Sequence, residues 1–163
     1  MRLISHLNAY YIYNLLLIFI FSIIVNSNNL FSLIYISLYC LFHLLIIYLG
    51  IYYYRISLYF IYFLYGLGLD ILWLNEIGPH LMVFMFMLFF FHLSTKYWYN
   101  FNSYKIYIII LILQFIIINL EIMFSYLLFQ YSISLNYFLQ IFFISALVSL
   151  PAFLFFSYID KFK

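Results

Sequence analysis

The sequence predicts an all-α, polytopic membrane protein, a bundle of about six transmembrane helices forming a single integral membrane domain over residues 1–163. Three observations carry this. Hydrophobic residues make up 71% of the chain and charged residues only 6%, against roughly a quarter charged in an ordinary soluble domain. A chain this short still exposes a large share of its surface after folding, so no water-soluble fold hides that much apolar area. Finally, the apolar residues fall in runs of about 20, the length that crosses a ~30 Å hydrocarbon core.

With a window of about 20 residues, the apolar runs lie at 8–26, 30–50, 56–74, 79–95, 105–128 and 136–158. The first follows Arg2 but has no A-x-A-like cleavage site and is followed by further apolar segments, so it is expected to remain as an anchor. Polar breaks separate the runs: Asn26 to Asn29, the Tyr54-Arg55-Ile56-Ser57 turn, Asn75 to Pro79, the stretch from Lys96 to Lys105, and Tyr131 to Ser134. Pro79 suits the first turn of the fourth helix, where its missing N–H costs nothing. The fourth run is the shortest.

Basic residues give the orientation. Arg2 precedes the first span, Arg55 lies between the second and third, Lys96 and Lys105 between the fourth and fifth, and Lys161 and Lys163 after the sixth. All fall on one side, while the opposite loops carry no Lys or Arg and one carries Glu76. Positive charge near span ends is retained in the cytoplasm. Both termini are therefore expected there, and an odd number of spans would break the alternation.

A net charge of +2 is too small to suggest nucleic-acid binding, and no basic run or stacking motif accompanies it, so no nucleic-acid partner is expected. The single cysteine, Cys40, excludes an intramolecular disulfide and any cysteine-based metal site, and reads as a small apolar residue within a helix. The 20 tyrosines and 22 phenylalanines suggest a recognition surface at first. Alanine, however, occurs only at Ala9, Ala146 and Ala152, which points to an A/T-rich codon bias filling lipid-facing positions with Phe and Ile.

Two ionisable groups lie inside apolar runs, Asp70 and Glu121, where a charge costs roughly 2.5–3.5 kcal/mol and usually faces other helices or water. At 1.5 Å per residue Asp70 is ~21 Å and Glu121 ~24 Å up their helices, so both fall in the outer half and can share a layer. Asp70 is either a carboxyl wetted from the Asn75-Glu76 loop or a functional contact. Glu121 is either a neutral carboxyl bonded to Asn119 or a neighbouring helix, or a functional contact.

Gly66 and Asp70 are four residues apart on one helix face, with Gly68 between them. Small residues let helix backbones approach in lipid, so the glycines are expected to serve packing. The run is not a phosphate loop, because no Gly-Lys-Ser follows. His6, His43, His80 and His92 have no metal-ligand spacing, so neither a metal nor a cofactor is expected. An enzyme would need Asp70, Glu76, His80 and Glu121 to converge, and that reading ranks last.

The segment Tyr65-Gly66-Leu67-Gly68-Leu69-Asp70, followed by Glu76-Ile77-Gly78-Pro79-His80, resembles the rod shape-determining protein MreD family, whose pattern is G-x-x-x-D, several residues, then P-L-G and an apolar helix. Gly66, Asp70 and Gly78 match residue by residue. Tyr54-Arg55 stands where many members have an aromatic-Arg-Pro turn, and Pro151 to Phe155 with Asp160-Lys161 resembles the family's last helix and basic tail. Ile56 departs from the expected proline, and Glu76-Ile77 from Pro-Leu. The diagnostic part covers residues 54–92.

The resemblance implies a non-enzymatic component of the elongasome in the bacterial inner membrane. With MreC, such a protein connects MreB filaments to lateral peptidoglycan synthesis by RodA and its transpeptidase, in the regulation of cell shape. Its partners would be the lipid bilayer, MreC and, through the complex, RodA and MreB. Gly66, Gly68, Asp70, Gly78, Pro79 and Glu121 are the candidate helix-packing and partner-contact residues. The alternative is the substrate-binding membrane subunit of a vitamin-type transporter, with Asp70, Glu76, His80 and Glu121 lining a pocket.

Overall fold

The computed structural model describes residues 2–26, 32–74, 76–98, 102–130 and 134–161. Six helices account for nearly all of them: α1 (Arg2–Asn26), α2 (Ser32–Tyr52), α3 (Ser57–Leu74), α4 (Pro79–Trp98), α5 (Ser103–Phe129) and α6 (Leu135–Lys161). α1, α4, α5 and α6 run past the apolar segments into flanking polar residues, because backbone hydrogen bonding continues where apolar side chains stop.

Four helices, α1, α2, α5 and α6, carry apolar stretches long enough to cross a membrane by length and composition. The apolar stretches of α3 and α4, Ser57–Leu72 and Pro79–Ser94, are shorter. Together those two helices form the closest-packed hairpin of the bundle.

α2 is the central helix, packed against α1, α4, α5 and α6, and residues from Phe42 to Ile51 along it are buried. Its apolar character on all sides is what a fully surrounded helix requires. Gly50 lets the Phe91 ring of α4 lie directly against the α2 backbone, where a Cβ would collide with it. α3 is tied to α2 through the Tyr62 hydroxyl, which donates to the Ile46 carbonyl. Gln114 of α5 donates to the Cys40 carbonyl at 2.9 Å, and its own buried Oε1 has no hydrogen-bond partner among the described residues.

The outer faces of α1, α5 and α6 are apolar and exposed, with Leu147 at 75% the extreme case. Lipid is the solvent that such faces match. Pro151 sits inside α6 and cannot donate to the carbonyl of Leu147 four residues earlier. Ala152 and Phe156 on the same turn are buried, and an open apolar groove of ≈ 360 Å³ runs beside them between α1, α2 and α6.

Candidate functional site

The start of α4 determines the site. Gly78 accepts the first helical bond from the Met82 N–H at 3.0 Å, so it is the N-cap residue and Pro79 the first residue of the helix. A glycine cap has no side chain to satisfy the free N–H groups that begin every helix. Asp70 of α3 does so from across the hairpin. Its Oδ2 accepts the N–H groups of Gly78 at 2.9 Å and Leu81 at 3.0 Å, and its Oδ1 accepts that of His80 at 2.9 Å. Pro79 has no N–H, so one carboxylate satisfies every donor of the first turn.

Asp70 is completely buried. Its partners are three backbone N–H groups and the His80 ring, all supplied by the start of α4. The N-terminal end of a helix also carries partial positive charge, which favours a carboxylate at this position.

Gly66 makes the approach possible. A Cβ there would lie 2.7 Å from Leu81 Cα and 3.1 Å from its backbone N, so only glycine lets α4 lie against α3 at this level. Gly68 faces the Phe21 ring of α1, 2.7 Å from where a Cβ would sit, and a Cβ at Gly78 would meet Leu128 and Phe129 of α5 at 3.3 Å.

From Asp70 the polar contacts continue inward. His80 Nδ1 lies 2.8 Å from Asp70 Oδ1, and its Nε2 faces the Tyr39 hydroxyl of α2 at 3.5 Å. Tyr39 donates to Glu121 Oε2 of α5 in a short hydrogen bond. Glu121 Oε1 lies 2.8 Å from His43 Nε2, and His43 Nδ1 lies 2.9 Å from the Tyr39 carbonyl. Tyr39, His43, Asp70, His80 and Glu121 are all buried. Asp70 and Glu121 thus occupy one layer, linked through His80 and Tyr39. Asn119 turns away and donates to the Phe115 carbonyl at 2.7 Å, so the partners of Glu121 are on α2.

Three of the four residues that an enzyme or ligand pocket would need, Asp70, His80 and Glu121, come together. Glu76 is exposed in the α3–α4 turn, outside the cluster. Tyr39 and His43 gave no sequence signal: each is one aromatic ring among many in an apolar run. The i, i+4 spacing of Tyr39 and His43 marks a shared face, but only the fold supplies the carboxylate between them.

A second carboxylate cluster lies at the opposite end of the bundle. Asp160 near the end of α6 accepts the hydroxyls of Tyr13 of α1 at 2.9 Å, Tyr53 just after α2 at 2.6 Å, and Tyr48 of α2. Tyr13 also lies 3.0 Å from the Phe156 carbonyl. At the same end Arg55 stacks over the Tyr10 ring, 4.9 Å from its centroid. Lys105 is exposed at the start of α5. Arg2, Lys96 and Lys161 belong to α1, α4 and α6, but their side chains lie outside the described residues, as does the whole of Lys163.

The fold and site define an all-helical protein of membrane-crossing character, organised around a buried cluster that holds Asp70 and Glu121 and a half-buried one around Asp160. Comparison with protein-family models, with curated proteins and with solved structures finds no match to this chain.

Proposed function

We propose that the chain crosses the bacterial inner membrane six times, with α3 and α4 as its short spans and both termini in the cytoplasm, and acts as a non-enzymatic, MreD-like adaptor of the elongation machinery. In this reading it links MreC and the MreB cytoskeleton to lateral peptidoglycan synthesis by RodA. One observation carries the reading. Gly66, Asp70 and Gly78, the residues on which the resemblance rests, form a single device in which Gly66 admits the α4 backbone and Asp70 caps it at Gly78. Codon bias produces apolar similarity, but it has no reason to place a glycine and a carboxylate one turn apart where the α3–α4 joint uses both.

The buried polar groups also favour an adaptor over the transporter subunit. Asp70 and Glu121 direct their oxygens at groups of the chain itself, whereas a binding pocket presents such atoms to its ligand. The exposed apolar faces of α5 and α6 offer a partner helix an intramembrane surface. Affinity purification of the tagged chain from native bacterial membranes in mild detergent, followed by mass spectrometry of proteins and small molecules, tests this. MreC and RodA should co-purify, at reduced yield with Asp70→Asn. Recovery of an ATPase module or a bound vitamin in their place would replace the adaptor with the transporter.

A further inference from the structure

The positions of the hydrogens in the Asp70–Glu121 cluster follow from its geometry. The Tyr39 carbonyl is only an acceptor, so His43 Nδ1 must carry a hydrogen. The Tyr39 hydroxyl donates to Glu121 Oε2. The 2.8 Å contact between His43 Nε2 and Glu121 Oε1 then holds one proton, as imidazolium and carboxylate or as imidazole and carboxylic acid. Either way that pair is neutral. Asp70 receives two hydrogen bonds on each oxygen and is the ionised acceptor, with His80 Nδ1–H among its donors.

The remaining variable is His80 Nε2, which faces Tyr39 Oη at 3.5 Å, the outer limit of a hydrogen bond. Without a proton on Nε2, nitrogen and oxygen present electron pairs to each other and the cluster carries one net negative charge. With a proton there, the imidazolium balances Asp70, the cluster is neutral, and an N–H points at Tyr39 Oη. Net charge inside a membrane protein is expensive, and charged side chains there mark proton-binding positions and relays.

We infer that the Asp70–His80–Tyr39–Glu121–His43 cluster is a reversible proton-binding site, loaded at His80 Nε2 from the end of the bundle that carries the α3–α4 turn, and that the bound proton ties α4 to α2. The proton comes from hydronium: one O–H bond breaks, one N–H bond forms, and water leaves. The turn above the site exposes Glu76 and Ile77, which places it at the surface. At the other end the chain of contacts closes on itself, because His43 Nδ1 returns to the Tyr39 carbonyl. Among the described residues, Cys40 on α2 and Tyr137 on α6 are further titratable groups that face it. This inference is independent of the partners named above.

The test is nitrogen-15 NMR of the full chain in lipid nanodiscs, with labelled histidine, from about pH 5 to about pH 9. Sequential assignment through Leu81 identifies the His80 ring without any variant. The doubly protonated His80 population should fall at least about tenfold across that range and recover on reversal. Tyr39→Phe should move the His80 midpoint, because the acceptor of the new N–H is gone. A His80 ring that keeps the same protonation over the whole range overturns the proposal, and so does a midpoint unmoved by Tyr39→Phe in a folded variant.

Discussion

The two ends of the bundle solve the same problem with different donors. Asp70 lies at the start of a helix, where backbone N–H groups are available and the helix dipole favours its charge. Asp160 lies near the end of one, where the backbone offers carbonyls instead, and it takes phenol hydroxyls from Tyr13, Tyr48 and Tyr53. The first arrangement is concentrated: one carboxylate, one helix start and one glycine that lets them meet. The second is distributed over three separate tyrosines. The donors also differ in chemistry, since an imidazole changes charge in the physiological range and a phenol does not. Burial, and then the hydrogen bond to Asp160, holds the Tyr53 phenol above its usual value, so it remains a donor at any working pH. If His80 takes up a proton as inferred above, the concentrated end responds to protons through a donor group, and the phenol donors of the distributed end do not.

Breaking the concentrated end should have the largest effect. Asp70→Ala leaves three backbone N–H groups and the His80 ring without their acceptor in a buried place, and hydrogen bonds to a charged group are worth about 1.5–3 kcal/mol each. A loss of about 4 kcal/mol or more is expected in reversible unfolding from mixed micelles followed by circular dichroism. If Asp160→Ala costs as much, the contrast between the ends fails. Next comes Gly66→Val, which drives a side chain into the Leu81 backbone and should cost about 3 kcal/mol. Both changes act on the α3–α4 joint, so the double variant should lose less than the sum of the two. Full additivity in the same assay would mean that they act on separate structures.

Tyr39→Phe ranks third. It removes the hydrogen bond to a buried carboxylate and the long contact to His80 but keeps the ring, so about 2 kcal/mol is expected, with the α3–α4 cap intact. Hydrogen exchange at the His80 and Leu81 amides separates the two effects. Their protection should fall only with global stability in Tyr39→Phe, but locally and further in Asp70→Ala.

How much of this was legible beforehand divides along the same line. The helices could be read because lipid demands long apolar runs, and Asp70 and Glu121 stood out because carboxylates are rare inside such runs. Gly66 and Asp70 could be placed on one face from spacing alone. What the spacing could not contain was the direction in which that face pointed, onto the start of the next helix, since this depends on how α3 folds back through the turn. The tyrosines of the Asp160 cluster were illegible for another reason. In a chain with 20 tyrosines, a hydroxyl that completes a half-buried carboxylate looks the same in sequence as one facing lipid headgroups. Only the packing of α1 and α2 against α6 selects Tyr13, Tyr48 and Tyr53.

The smallest effect should come from Tyr53→Phe. Its hydroxyl shares Asp160 Oδ1 with Tyr13, and the hydroxyls of Tyr13 and Tyr48 still reach the carboxylate when this one is removed. The expected cost is about 1 kcal/mol, near the net value of an ordinary hydrogen bond. Because the folded protein holds this proton more tightly than the unfolded chain, the contribution is present in full below about pH 10, where a free phenol begins to ionise, and is lost only as the pH rises beyond it. The stability difference between wild type and Tyr53→Phe should therefore be flat from about pH 6 to about pH 9. Over the same interval, wild-type stability should change through His80. A Tyr53→Phe difference that varied across that interval would mean that the Asp160 clasp senses protons as well, and the division of labour between the two ends would be lost.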